Sequence, residues 1–582
     1  MKQKNDKSTL AWISSVAGRK KVYIGILALL QILLGVSSVV FALFLREIID
    51  AAVAAEKGMF WKSAAMFGTL VVTQILLRAV NRYLTDYTRV GLQNRFREKM
   101  FSALMLKNYE SVNSVHSGEW INRLTSDANV VADGLVQILP GLSGTVVRLA
   151  SALVMLLVLE PRFLYVVLPS GVVLLVLSYG FRKILKSMHK KIQEEDGKVR
   201  ILFQEYLESL LVVRAYGMED MAQKEAGEKM NTYRKTLLKR SHFSNMSSMG
   251  FGTIMHGAYV LSAIYCGYGI LTSTMSYGTF TAVLQLIGQV QAPFANITGF
   301  LPRYYAMLAS AERLLEAEFL PNKEVDRVLS KEEVHQKYAD ELQAIGLKKV
   351  GFTYESLAPK VAGEEHADSQ KTVVLKDIDL EIKKGDYVAF TGPSGCGKST
   401  AFKLFLGLYP IDNGERYIQL KDERKELNSS WQKLFAYVPQ GNHLMSGTIR
   451  EIVAFSDKDG MRDEERLMKA LRVSCANEFV QELENGIDTE LGERGAGLSE
   501  GQLQRLAIAR AIFSENPILM MDESTSALDE KTEKELLANL RAMTDKTVLL
   551  VTHRPAVLDI CDKIVEFQQE GVTVFENNAC KL

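Results

Sequence analysis

Tyr387-Val-Ala-Phe-Thr-Gly392-Pro-Ser-Gly-Cys396-Gly-Lys398-Ser-Thr400 is the stretch that decides how this chain is read. Its first five residues read as a strand, and an apolar helix-forming run follows Thr400. Between them stands GxxxxGK[ST] in the strand–loop–helix context that the pattern requires. Gly392, Gly395 and Gly397 free the backbone N–H groups around Ser394, Cys396 and Thr400 to close on phosphates. The helix N-terminus adds its dipole. Lys398 is placed to reach β- and γ-phosphates, and Ser399 to ligate Mg²⁺.

Two further strands lie downstream. Ile518-Leu-Met-Met-Asp522-Glu523 is apolar and ends in two carboxylates, the first suited to hold Mg²⁺ and the second to act as general base or to orient a water. Val548 to Thr552 is apolar and ends at His553. After a phosphate loop and a carboxylate strand, that position suggests a γ-phosphate contact.

Upstream the composition changes. Before about residue 305 uncharged runs are long, and after it charges are dense. The chain of 582 residues therefore divides into an expected membrane domain (1–315), a linker (316–340) and a nucleotide-binding domain (341–582). Net charge is +1, which offers no field for nucleic acid. Five cysteines without a CxxC pair fit a reducing compartment and argue against a disulfide or zinc framework. The first apolar run reads as a retained span, not a cleaved signal.

A span needs about 20 apolar residues. Val22–Leu45, Met59–Leu84, Gly134–Leu159 and Phe163–Phe181 each supply one. Residues 244–302 contain no Asp, Glu, Lys or Arg and supply two, with a turn near 272–277. Six spans follow, and Lys and Arg in the leader and after Phe181 put both termini in the cytoplasm. The long links 85–132 and 182–243 are then charged cytoplasmic helix extensions. Arg148, near mid-span, is either a cavity cation that meets substrate or a structural pair. Gln285, Gln289 and Asn296 share one helical face, and either line a pathway or hydrogen-bond between helices. His256 reads as a packed histidine, and Arg78 and Arg82 snorkel to the inner surface.

The whole pattern resembles a bacterial half-size ATP-binding-cassette exporter over nearly its full length. The resemblance implies an all-α six-helix transmembrane domain followed by an α/β P-loop NTPase domain. In those terms Gly392–Thr400 is Walker A and Ile518–Glu523 is Walker B. Gln440, in Tyr-Val-Pro-Gln, matches the glutamine that senses Mg²⁺ and the membrane domain. Leu498-Ser499-Glu500-Gly501-Gln502 matches the signature loop, with Glu500 where glycine is usual. Residues 489–495 match the exporter-specific segment, Ser526 to Asp529 the loop that crosses to the partner subunit, and His553 the switch histidine. Tyr354 resembles the adenine-stacking tyrosine, displaced from Walker A by an insertion over 355–372. The coupling helices are expected near Tyr109–His116 and Leu207–Val213, with Ser117–Asp127 following the first.

By the same resemblance the cofactors are ATP and Mg²⁺, and the partners are the lipid bilayer and a second half-transporter, identical or different. One cassette's Walker loops must face another's signature loop. ATP-driven export of a lipid, peptide or hydrophobic small molecule across the plasma membrane is the implied function. Glu500 is compatible with a homodimer or marks one half of a heterodimer. An importer on this architecture and an ATP-gated regulator are the alternatives. Only about 20 residues precede the first span, which disfavours an N-terminal protease domain.

Overall fold

The computed structural model describes residues 2–323, 327–356, 370–441, 443–492, 497–568 and 571–577. Contacts divide the chain into two units, Met1–Phe101 with Ile121–Glu316, and Ser102–Trp120 with Ala317–Leu582.

The first half is helical throughout: α1 Lys2–Ala17, α2 Lys21–Val53, α3 Lys57–Met105, α4 Tyr109–Asn113, α5 Ser117–Asn122, α6 Ala128–Leu159, α7 Leu164–Glu208, α8 Leu210–Ala215, α9 Glu219–Leu271 and α10 Tyr277–Phe319. Helices α2, α3, α6, α7, α9 and α10 run 32 to 53 residues. At about 1.5 Å per residue each is longer than the roughly 30 Å hydrocarbon layer. Their charged ends therefore stand clear of it, as the sequence of the two long links requires. Among the described residues four segments are long and apolar enough to span: Ser8–Val53, Lys57–Met105, Ser117–Leu159 and Glu219–Leu271. The other two expected spans fall on α7 and α10, where the side chains of 164–180 and 292–299 lie outside the described residues.

Helices α5 and α6 are joined through a π-helical turn, Arg123–Asp127. The turn buries a carboxylate and supplies its partners, as a buried charge demands. Asp127 accepts from Arg313 Nε at 2.8 Å and from Ser310 Oγ at 2.9 Å. Arg123 donates to the Arg313 carbonyl at 3.0 Å. Higher up, α2 and α6 approach closely because both carry glycine at the crossing. A Cβ on Gly144 would stand 2.9 Å from Gln31 Cβ, and one on Gly35 3.1 Å from the Gly144 carbonyl.

Beyond the long helices, the second unit continues with α11, Lys331–Asp340, started by a capping box of Ser330 and Glu333. Then come β1 Leu342–Ser356, β2 Gln370–Lys383, β3 Tyr387–Thr391, α12 Lys398–Phe405, β4 Asn413–Leu420, β5 Arg424–Glu426, β6 Phe435–Val438, β7 Gly447–Thr448, α13 Ile449–Val453, α14 Glu464–Val473, α15 Asn477–Glu482 and β8 Glu490–Leu491. The chain finishes with α16 Glu500–Phe513, β9 Ile518–Asp522, α17 Glu530–Arg541, β10 Thr547–Val551, α18 Pro555–Leu558, β11 Lys563–Gln568 and β12 Gly571–Glu576. One sheet has the order β2-β1-β4-β5, and its pairs are antiparallel. A second has the order β12-β11-β3-β10-β9-β6, parallel from β11 to β6, and β7 and β8 form a two-stranded antiparallel third. Strands buried on both faces need apolar runs rather than alternation. YVAFT, ILMMD and TVLLV are such runs, and β9 and β10 are buried at every residue.

Candidate functional site

The parallel sheet assembles the site. Strands β3, β10, β9 and β6 are neighbours, so everything that follows their C-terminal ends lies on one edge. After β3 comes the phosphate loop, after β10 His553, at the end of β9 Asp522 and Glu523, and two residues past β6 Gln440. Val551 sits opposite Phe390 on one side and Asp522 on the other, which fixes the alignment.

The loop is shaped by its glycines. Gly392 has φ +127° and Gly397 φ +101°, conformations open to glycine and costly for other residues. Gly397 is the residue from which α12 starts. Lys398 is 5% exposed, and its ammonium donates to the carbonyls of Gly392 (2.7 Å) and Pro393 (2.8 Å) and lies 3.8 Å from Cys396 Sγ. Ser399 Oγ donates to Asp522 Oδ1 at 3.0 Å. Burial is the main reason that the Asp522 carboxyl is held above its usual range, with the Glu523 charge adding and the Ser399 hydrogen bond opposing. Hydroxyl and carboxylate oxygens this close, beside a phosphate loop, are the hard donor set that suits Mg²⁺.

Glu523 has φ +48°, the left-handed region that a non-glycine residue rarely occupies. Its N–H is held by the Val551 carbonyl at 3.1 Å. The carboxylate accepts from Gln440 Nε2 at 2.8 Å, and His553 Nε2 stands 3.9 Å from its other oxygen. Three residues that the sequence scatters over 440–553 thus meet.

Tyr354 reaches the same edge from the other sheet. Its partner on β2 is Thr372, and β1 and β2 stay paired to Ser356 and Gln370. The insertion therefore lengthens a hairpin, with residues 357–369 outside the described residues. The Tyr354 hydroxyl shares a hydrogen bond with Thr400 Oγ1 at 3.3 Å, despite the long separation in sequence.

The signature stretch is a helix start. Ser499 caps α16, accepting from Gln502 N–H while the Gln502 side chain accepts from Ser499 N–H. Glu500 follows, exposed, in the first turn, where a negative charge is favoured by the dipole. Gly501 is required by packing: a Cβ there would stand 2.8 Å from the Ala527 carbonyl. Ser499, Glu500, Gly501, Arg505, Ala527, Leu528 and Asp529 line one open depression. Asp529 caps α17 by accepting from Lys531 and Thr532 N–H. Ser526 Oγ accepts from Gln504 Nε2 at 3.0 Å, and Gln504 Oε1 accepts from Ala527 N–H at 3.0 Å. Gln504, buried and missed in the sequence, joins the signature helix to the loop that follows β9. The sequence signal was available in Ser499 and Gln502, spaced as a capping box. Of residues 489–495, 493–495 lie outside the described residues.

In the helical unit the candidate cavity residues part company. The Gln289 amide is spent between helices, donating to the Ser38 carbonyl at 2.7 Å and accepting from Ser38 Oγ at 2.9 Å. Gln285 is partly exposed, and the Asn296 side chain lies outside the described residues. Arg148 is half-buried, with a buried Nε that has no hydrogen-bond partner among the described residues. The two segments expected as coupling helices form short helices, α4 and α8. The second starts at Leu210, later than the expected Leu207, because α7 continues to Glu208.

A phosphate loop, a carboxylate pair and a switch-type histidine on one edge of a parallel sheet define a P-loop nucleoside triphosphatase, here fused to a unit of long membrane-type helices. The ABC transporter transmembrane region model matches residues 24–294, and the ABC transporter model matches residues 375–526. The chain belongs to the ATP-binding-cassette transporters and is an ATP-hydrolysing, multi-pass membrane transporter. Among curated relatives, the ATP-dependent lipid A-core flippase of Mannheimia succiniciproducens is 26% identical, over 86% of this chain and 83% of that one. The flippase of Aliivibrio fischeri is 25% identical over 99% and 96%. A solved bacterial Atm1-family ABC exporter with ATP bound has a TM-score of 0.75 at 20% identity, covering 96% of this chain and 95% of that one, and so shares the fold.

Proposed function

We propose that this chain is one half of a dimeric exporter of the plasma membrane, with both termini cytoplasmic, that moves an amphiphile with an anionic headgroup. The observation that carries the substrate class is Arg148. A guanidinium near the middle of a spanning helix is expensive unless something offsets it, and its Nε has no partner among the described residues. An anionic headgroup meets that need, and the relatives named as lipid A-core flippases support a lipid as the amphiphile.

In the ATP site, Lys398 leaves its loop carbonyls for the phosphates, and Tyr354 offers its ring to adenine. Mg²⁺, when bound, neutralises charge on the β- and γ-phosphates, with Ser399, Asp522 and Gln440 placed to hold it. Glu523, oriented by Gln440, takes a proton from the attacking water, and His553 faces the γ-phosphate. The open Ser499–Asp529 depression supports completion by a second subunit. So does α8 with the residue that caps it, where Leu211 (83%), Val212 and Tyr216 (78%) are exposed residues suited to dock on a partner's cassette.

The test is translocation in proteoliposomes of headgroup-labelled anionic and zwitterionic lipids. The expected result is ATP-dependent movement that favours the anionic probe, with the preference lost in Arg148→Gln. No nucleotide-dependent movement of either probe, or an unchanged preference in the variant, overturns the reading.

A further inference from the structure

We propose that Tyr409 is a positioning residue that joins the adenine platform Tyr354 to the coupling helix α4, so that affinity for the base of ATP depends on where α4 is held. The inference rests on the ATP-site reading above and extends it to regulation of that site.

Tyr409 lies in the turn after α12 and is 4% exposed. Its ring meets that of Tyr354 edge-to-face at 5.5 Å and 84°. It meets that of Tyr109, the first residue of α4, at 5.7 Å and 81°. From the other end of α4, Asn113 Nδ2 donates to the Tyr409 hydroxyl at 3.5 Å. Phe352 closes the group, 5.5 Å from Tyr409 and 4.8 Å from Tyr354. All five residues belong to the second unit.

The backbone under the ring is held as well. Buried Arg416 donates to the Leu404 carbonyl at 2.7 Å and to the Tyr409 carbonyl at 3.1 Å. Leu404 is in the phosphate-loop helix α12, so Tyr409 is anchored to the element that carries Lys398 and Ser399. The Tyr354 hydroxyl is tied to the same helix through Thr400. Edge-to-face contacts are directional, with the positive edge of one ring on the negative face of another. A displacement of α4 therefore reaches the Tyr354 ring through Tyr409, while the phosphate-binding atoms stay anchored. Burial pushes the Tyr409 phenol up to about 12, so the contact holds the same charge across the physiological range.

The experiment measures equilibrium ATP binding to the full chain in nanodiscs, on a Glu523→Gln background that stops turnover. Tyr109→Ala alters a residue that is 42% exposed and outside the nucleotide site. It is expected to weaken ATP binding about two- to tenfold, the range that one aromatic pair converts to. Tyr109→Phe restores affinity, and inorganic triphosphate, which has no base, binds both forms equally. On a Tyr354→Ala background the same Tyr109→Ala change has no further effect. Unchanged ATP affinity in Tyr109→Ala, or two losses that multiply independently, overturns the proposal while leaving the ATP site intact. If Tyr354→Ala itself leaves ATP affinity unchanged, the adenine assignment fails and the proposal falls with it.

Discussion

Replacing Glu523 by Gln separates chemistry from binding at this site. The amide has the shape of the carboxylate and can still accept from Gln440 Nε2 through its oxygen, as the carboxylate does at 2.8 Å. The backbone at φ +48° is strained equally for either side chain, so the fold gains no new cost. Lys398, Ser399 and Asp522 hydrogen-bond to groups other than Glu523, so nucleotide affinity should change by less than about threefold. What is lost is the proton acceptor. General-base catalysis contributes about 10²- to 10⁴-fold, or roughly 3–5 kcal/mol of barrier. ATP turnover by the purified chain in lipid, measured as phosphate release, should fall by that factor while labelled ATP binding persists. Turnover within about tenfold of wild type, from a protein active alone, refutes the assignment of Glu523. Negligible turnover by the well-folded wild-type chain points instead to a missing, different partner subunit, in keeping with Glu500 in the signature loop.

Two more predictions bear on the same edge. Lys398→Ala removes a charge-assisted donor to phosphate oxygens, at about 1.5–3 kcal/mol for such a bond, so ATP affinity measured by calorimetry should fall roughly ten- to 200-fold; unchanged affinity counts against the phosphate loop. Asp522, whose carboxyl is raised mainly by burial, binds its proton more tightly folded than unfolded. Its ionised form therefore penalises the nucleotide-free fold above that raised value, and acid relieves the penalty. Asp522→Asn should unfold at a higher temperature than wild type at neutral pH, with the gap closing as pH falls into the carboxylate range, and should lose Mg²⁺-dependent hydrolysis. A gap that widens on acidification contradicts the burial argument.

What could be read without coordinates was local. The phosphate loop was legible because strand, glycines, lysine and helix are consecutive, and the spans because hydropathy acts within about 20 residues. The carboxylate pair stood out as a candidate because a strand buried on both faces has little reason to end in Asp522-Glu523. Ser499 and Gln502 carried a helix start in their spacing. Sheet order, by contrast, is set by long-range pairing, and only that order puts Gln440, Glu523 and His553 within reach of one another. The β1–β2 register returns Tyr354 to Thr400 across an insertion whose length hid the relation. Gln289 and Arg148 look alike as polar residues in apolar runs. Helix packing gave the first a partner on Ser38 and left the Arg148 Nε without one among the described residues. Tyr409, Arg416 and Gln504 carry no motif at all, because their meaning lies in which distant backbone or ring each one meets, and a hydrogen bond or an aromatic pair exists only once the chain has closed around it.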